Sequence, residues 1–199
     1  MKANRFVLVC LLASIAPGTS LAHSPIQGIG DFYNGLLHPL LVPAHLLLLM
    51  AVGLFLGQQE HKRIELVLGS YAVAIMLGLT GAWFSVGTGM ETWTLAASAI
   101  IGLLVAARFQ SAFWWSLVVV LMAGFLLGID SAQNELAGKN KLAALFGSAI
   151  AIYFLVLYPM ALAEYFNRKP WQRIGIRVVG SWVTASSLLV LALSFSVPP

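Results

Sequence analysis

The chain has 199 residues, 60% of them hydrophobic and only 9% charged, with a formal net charge of +4. Soluble domains carry about 25% charged residues, so a soluble enzyme or a nucleic-acid-binding module is excluded. The composition describes an all-α integral membrane protein of one domain with the lipid bilayer as its first partner.

Residues 1–22 read as a cleaved secretory signal peptide. Lys2 and Arg5 form a positive start, 6–15 are apolar, Pro17-Gly18 breaks the run, and Ser20-Leu21-Ala22 is a small-x-small cleavage site. Cleavage there makes His23 the new N-terminus, where an amine and an imidazole together can chelate a transition metal. The single cysteine, Cys10, falls in the leader. Any metal is then left to imidazole, carboxylate, hydroxyl or backbone oxygen.

Residues 23–36 read as a polar, Gly-rich connection containing Asp31. From there, residues 23–199 are expected to form one bundle of about six transmembrane helices, spanning about 37–56, 64–86, 93–107, 113–129, 142–163 and 176–197. The third is short for a hydrocarbon core that needs about 20 residues. In the first span, His38 and His45 are seven residues apart. On one continuous helix they share a face, roughly 10 Å apart along the axis. Pro43 lies between them and predicts a kink, because it cannot donate to the carbonyl of Pro39. In lipid that carbonyl needs water or another partner.

Orientation follows from the basic residues. With the mature N-terminus outside, the inner loops hold Lys62, Arg63, Arg108, Arg168, Lys169, Arg173 and Arg177, and the outer loops hold Lys139 and Lys141. Seven against two places both mature termini on the extracytoplasmic side. The pairs Gly124/Gly128, Gly147/Ala151 and Gly180/Thr184 have the small-xxx-small spacing that lets helices pack closely.

The same topology sorts the acids and histidines. Glu60, His61, Glu65 and Glu164 fall inside, beside basic residues that pair with them. His23, Asp31, His38, His45, Asp130 and Glu135 fall at the outer mouth with few bases near. Intramembrane ionisable groups are costly and mark candidate ion sites. These six are the candidate metal ligands, and a divalent metal ion is the expected partner. The stretch Gly128-Ile-Asp-Ser-Ala-Gln-Asn-Glu135 is the richest in oxygen donors. No phosphate-binding loop, nucleophile elbow or zinc-protease helix is present. No resident cofactor and no enzymatic activity are expected.

Several segments together resemble a known family. They are Ala22-His23 after the leader, Gly35-Leu-Leu-His38-Pro39, Met50-Ala-Val-Gly53, and Arg177-Val-Val-Gly-Ser-Trp-Val183 before the last apolar run. In these the chain is similar to the HupE/UreJ family of small bacterial membrane proteins, over nearly its whole length. The resemblance implies a multi-pass protein of the bacterial cytoplasmic membrane acting as a nickel or cobalt permease. The family's signature, His-Pro-x-x-Gly-x-Asp-His, has Val42 and Ala44 here in place of its Gly and Asp. Its His-rich fourth-helix motif is matched here by 128–135, with Asp130 and Ser131 as new polar groups and only Glu135 clearly kept. Fewer imidazoles and more oxygens make a harder site. The alternatives are a non-transporting, metal-binding accessory protein and a channel for a small neutral solute. A homo-oligomer is compatible with each.

Overall fold

The structure is a computed structural model and describes residues 28–59, 63–84 and 89–196. The expected leader and His23 lie outside the described residues. Among those described there are seven helices and no strand: α1 (Asp31–Leu41), α2 (Pro43–Gly57), α3 (Ile64–Trp83), α4 (Glu91–Ala107), α5 (Phe113–Ile129), α6 (Gly138–Phe166) and α7 (Pro170–Ser196). The all-α membrane fold expected from composition is the fold observed.

By length and composition, α3, α6 and α7 are each able to cross a membrane, and the bent pair α1–α2 makes a fourth candidate span. α4 and α5 are apolar but shorter, at 17 residues each. That is about 26 Å at 1.5 Å per residue, against a hydrocarbon core of about 30 Å.

The first expected span is not one helix. It divides at Val42, and α1 and α2 meet at 69°. The cause is local. A residue before proline is driven out of the α region, and Val42 is extended at φ −89°, ψ 112°. Pro43 then takes the first position of α2, where its missing N–H costs nothing. The chain between the leader and 37 is also not all loop, since α1 begins at Asp31. It is held by close packing: a Cβ on Gly35 would run into the backbone of Ala144, and one on Gly147 into the carbonyl of Phe32. Pro39, inside α1, deprives the Gly35 carbonyl of its helical donor. The Ser148 hydroxyl of α6 donates to that carbonyl at 3.0 Å.

α2 is the centre of the bundle, with 11 of its 15 residues buried. A helix apolar on all sides belongs in such a position. α4, α6 and α7 pack around it, while α3 and α5 form a tight pair in which Gly124 and Gly128 lie against the backbone of Tyr71 and Ile75. All three small-xxx-small pairs sit at helix contacts. α6 and α7 begin earlier than their apolar runs suggest, α7 because Pro170 opens it.

Candidate metal site at the histidine end of the bundle

The break at Val42 sets the geometry. Rather than standing about two turns apart on one rod, His38 closes α1 and His45 opens α2, and their ring centres are 5.1 Å apart, edge to face. Both side chains are buried. Two imidazoles bound to one tetrahedral ion at ~2.0–2.1 Å also have ring centres roughly 5 Å apart.

Asp130, at the C-terminal end of α5, reaches the same point. Its Oδ2 lies 3.0 Å from Nε2 of His45, with the imidazole fully buried and the carboxylate 12% exposed. Nε2–H therefore donates to the carboxylate. The other ring nitrogen, Nδ1 of His45, is buried with no hydrogen-bond partner among the described residues. In the neutral imidazole that nitrogen carries a lone pair. A carboxylate that takes one ring N–H and leaves the other nitrogen open is the usual support of a metal-binding histidine. Thr94, in the first turn of α4, adds a hydroxyl 3.4 Å from the same Oδ2, an alternative to its 3.1 Å bond to the Met90 carbonyl. The beginnings of α2 and α4 thus converge on Asp130. Helix N-termini favour a carboxylate there.

The other sequence candidates lie apart. Asp31 stands at the start of α1, two turns from His38. Glu135 is exposed in the α5–α6 connection and makes no hydrogen bond or ion pair with the described residues. Ser131 is buried, but its hydroxyl is spent on the Leu127 carbonyl at 2.7 Å. Among the described residues no three of His, Cys, Asp and Glu stand close enough to hold an ion together.

A second polar cluster, which sequence reasoning did not single out, closes the opposite end of α2. Gln58 is buried and donates to the Val105 carbonyl at 3.3 Å; Gln59 donates to the Phe109 carbonyl at 2.9 Å. Gln59 accepts from the Ser111 N–H at 2.9 Å, and Gln110 donates to the Gln58 carbonyl at 3.2 Å. These bonds tie the end of α2 to the α4–α5 turn. Consecutive glutamines at the end of an apolar run were the available signal.

Compared with known families, residues 9–190 match the HupE / UreJ protein family. The chain belongs to the HupE/UreJ family. Membership supports a metal-related membrane function, in a family of membrane transporters and accessory proteins rather than enzymes. No curated protein and no solved structure matches the chain.

Proposed function

We propose that this HupE/UreJ protein is a secondary permease for a divalent transition-metal cation, nickel or cobalt, which it takes up at the extracytoplasmic mouth of the bundle. The observation that carries the reading is the His45 imidazole, held by Asp130 through Nε2 with its buried Nδ1 unpartnered. Nδ1 is the first donor and His38 the second. Asp130 orients His45 and supplies negative charge, so its role is support rather than ligation. The family signature has Asp at the position of Ala44. Here Asp130 brings a carboxylate to His45 from another helix. Water fills further positions around the ion, and His23 is the added donor in this reading, with Asp31 and Glu135 attracting the cation to the mouth. The protein sits in the bacterial cytoplasmic membrane with both mature termini outside.

The test is thermal stabilisation of purified protein by Ni²⁺ and Co²⁺, followed by radiolabelled uptake into sealed vesicles. Stabilisation is expected in the parent and in Glu65→Gln, at the other end of the bundle, and is expected to vanish in His45→Ala. A parent that does not respond to either ion, or an equal loss in both variants, overturns the metal site. A second reading rests on the family, which includes accessory proteins as well as transporters: an accessory protein that holds the ion without moving it. It predicts stabilisation with no uptake above that of protein-free vesicles.

A further inference from the structure

At the end of the molecule away from His45, α6 and α7 diverge and leave a cavity of about 260 Å³ floored by α2. Leu54, Phe166, Ile176 and Val179 line it together with Trp171, and Gln172 is its one polar side chain. The α6–α7 turn bridges the end of this groove, since Phe166 on one side of the turn and Trp171 on the other both line it. From 164 to 177 the chain carries Arg168, Lys169, Arg173 and Arg177 against the single acid Glu164.

Three of these cations, Arg168, Lys169 and Arg173, belong to the turn at the groove's end or to the first turn of α7. Arg173 gives its Nε–H to the Asn167 carbonyl at 2.9 Å, which leaves four further N–H donors on the same guanidinium. Arg168 lies over the Tyr165 ring, its guanidinium carbon 5.4 Å from the ring centre, and its side chain is exposed. Lys169 is exposed on the turn, where its backbone N–H donates to the Gln172 side chain at 3.0 Å. Arg177 is directed elsewhere, with its Nε–H on the Ala106 carbonyl of α4 at 2.7 Å. Trp171 is 66% exposed at the same level, as an aromatic at a membrane–water interface is.

The geometry points to a site for an anionic glycerophospholipid, with one acyl chain in the α6–α7 groove and its phosphate on Arg168, Lys169 and Arg173. The two parts argue for one molecule. An apolar slot open to the bilayer takes a hydrocarbon chain, and basic groups at its end select a negative headgroup. A zwitterionic lipid brings the same phosphate but adds an ammonium group, so it leaves the excess positive charge at the groove's end uncompensated. Free phosphate would engage the charge without the slot. The site does not depend on the metal reading, being at the other end of the bundle.

The experiment is native mass spectrometry of the full-length protein exchanged with equal amounts of phosphatidylglycerol and phosphatidylcholine of identical chains. The parent is expected to retain phosphatidylglycerol preferentially. Arg168→Gln, Lys169→Gln and Arg173→Gln are each expected to lower that preference about fivefold, with phosphatidylcholine retention falling less than that of phosphatidylglycerol. Gly175→Leu tests the slot. Gly175 lines the groove, and a Cβ built on it meets nothing within 4 Å, so leucine enters the groove without disturbing the helix. It is expected to reduce retention of both lipids while circular dichroism stays that of the parent. Equal retention of the two lipids by the parent overturns the proposal. So does normal retention in Gly175→Leu, which would mean diffuse surface charge alone, or displacement of phosphatidylglycerol by millimolar inorganic phosphate, which would mean an anion site without a chain.

Discussion

A carboxylate three ångströms from a buried imidazole acts on it in two ways: it fixes which nitrogen bears the proton, and it offsets positive charge brought to the other. Asp130, 3.0 Å from Nε2 of His45, is placed to do both. Asp130→Asn keeps the volume and a hydrogen-bonding group but loses the charge and the fixed donor–acceptor sense. Loss of such a support lowers metal affinity by about 10–100-fold. Titration of Ni²⁺ against parent and variant checks this; equal affinities would mean that Asp130 plays no part in the site. The sequence made His45 and Asp130 candidates through their common depth and lack of basic neighbours. It could not supply the distance between them, because 85 residues separate the two. Thr94 was not legible at all, since a hydroxyl in an apolar helix reads as a bond to its own backbone, and Thr94 does have that option in Met90. Asp31 and Glu135 have the right chemistry and lie toward the same end of the bundle, but a helix start and an exposed loop leave them outside the cluster.

The bend between α1 and α2 is what brings the histidines together, and two prolines with one serine maintain it. Pro43→Ala restores an N–H for the Pro39 carbonyl and frees Val42 to become helical. The expected result is a folded protein in which α1 and α2 straighten, His38 withdraws from His45, and Ni²⁺ stabilisation falls while helix content does not. An unchanged metal response would show that the bend is set by packing of α1 on α6 alone. Ser148→Ala tests that packing. It strips the Gly35 carbonyl of the side-chain donor that stands in for the one Pro39 lacks, and an unsatisfied buried acceptor costs about 1–3 kcal/mol. Ser181→Ala is the comparison, an exposed hydroxyl bonded to its own helix at Arg177, with little expected change. Thermal unfolding of the two variants in one detergent gives the answer. The kink at Pro43 and the glycine contacts were legible, because both follow from local covalent geometry and spacing. The start of α1 was not. Asp31-Phe-Tyr-Asn-Gly-Leu36 has no strong helical preference, and its helix exists because Gly35 and Gly147 let it lie against α6.

Over the whole molecule the polar groups divide into two ends. His45 and Thr94 stand at the beginnings of α2 and α4 and Asp130 at the end of α5. Gln58, Gln59 and Val105 stand at the ends of α2 and α4, and Ser111 precedes α5. That division requires α2 and α4 to run one way and α5 the other, as alternate crossings do. The neighbours agree: Ser98 and Gly102 of α4 meet Ser187 and Thr184 of α7, so those helices are antiparallel. Arg63, Arg108, Arg168, Lys169, Arg173 and Arg177 all fall at the glutamine end, and Lys139 and Lys141 at the histidine end. The positive-inside rule predicts that the glutamine end is cytoplasmic. The glutamine cluster would then close the inner side of α2 while the histidine site faces outward. The arrangement predicts that a reporter active only outside the cytoplasm works when fused after Pro199 and fails when inserted in the α6–α7 turn. It also predicts that a cysteine at exposed Glu135 reacts with an impermeant maleimide in intact cells, whereas one at exposed Arg168 reacts only after the membrane is opened. Labelling at 168 but not at 135 before lysis, or a reporter after Pro199 active only in the cytoplasm, would invert the topology and place the His45–Asp130 pair on the inner side, where the molecule would serve export or intracellular delivery rather than uptake.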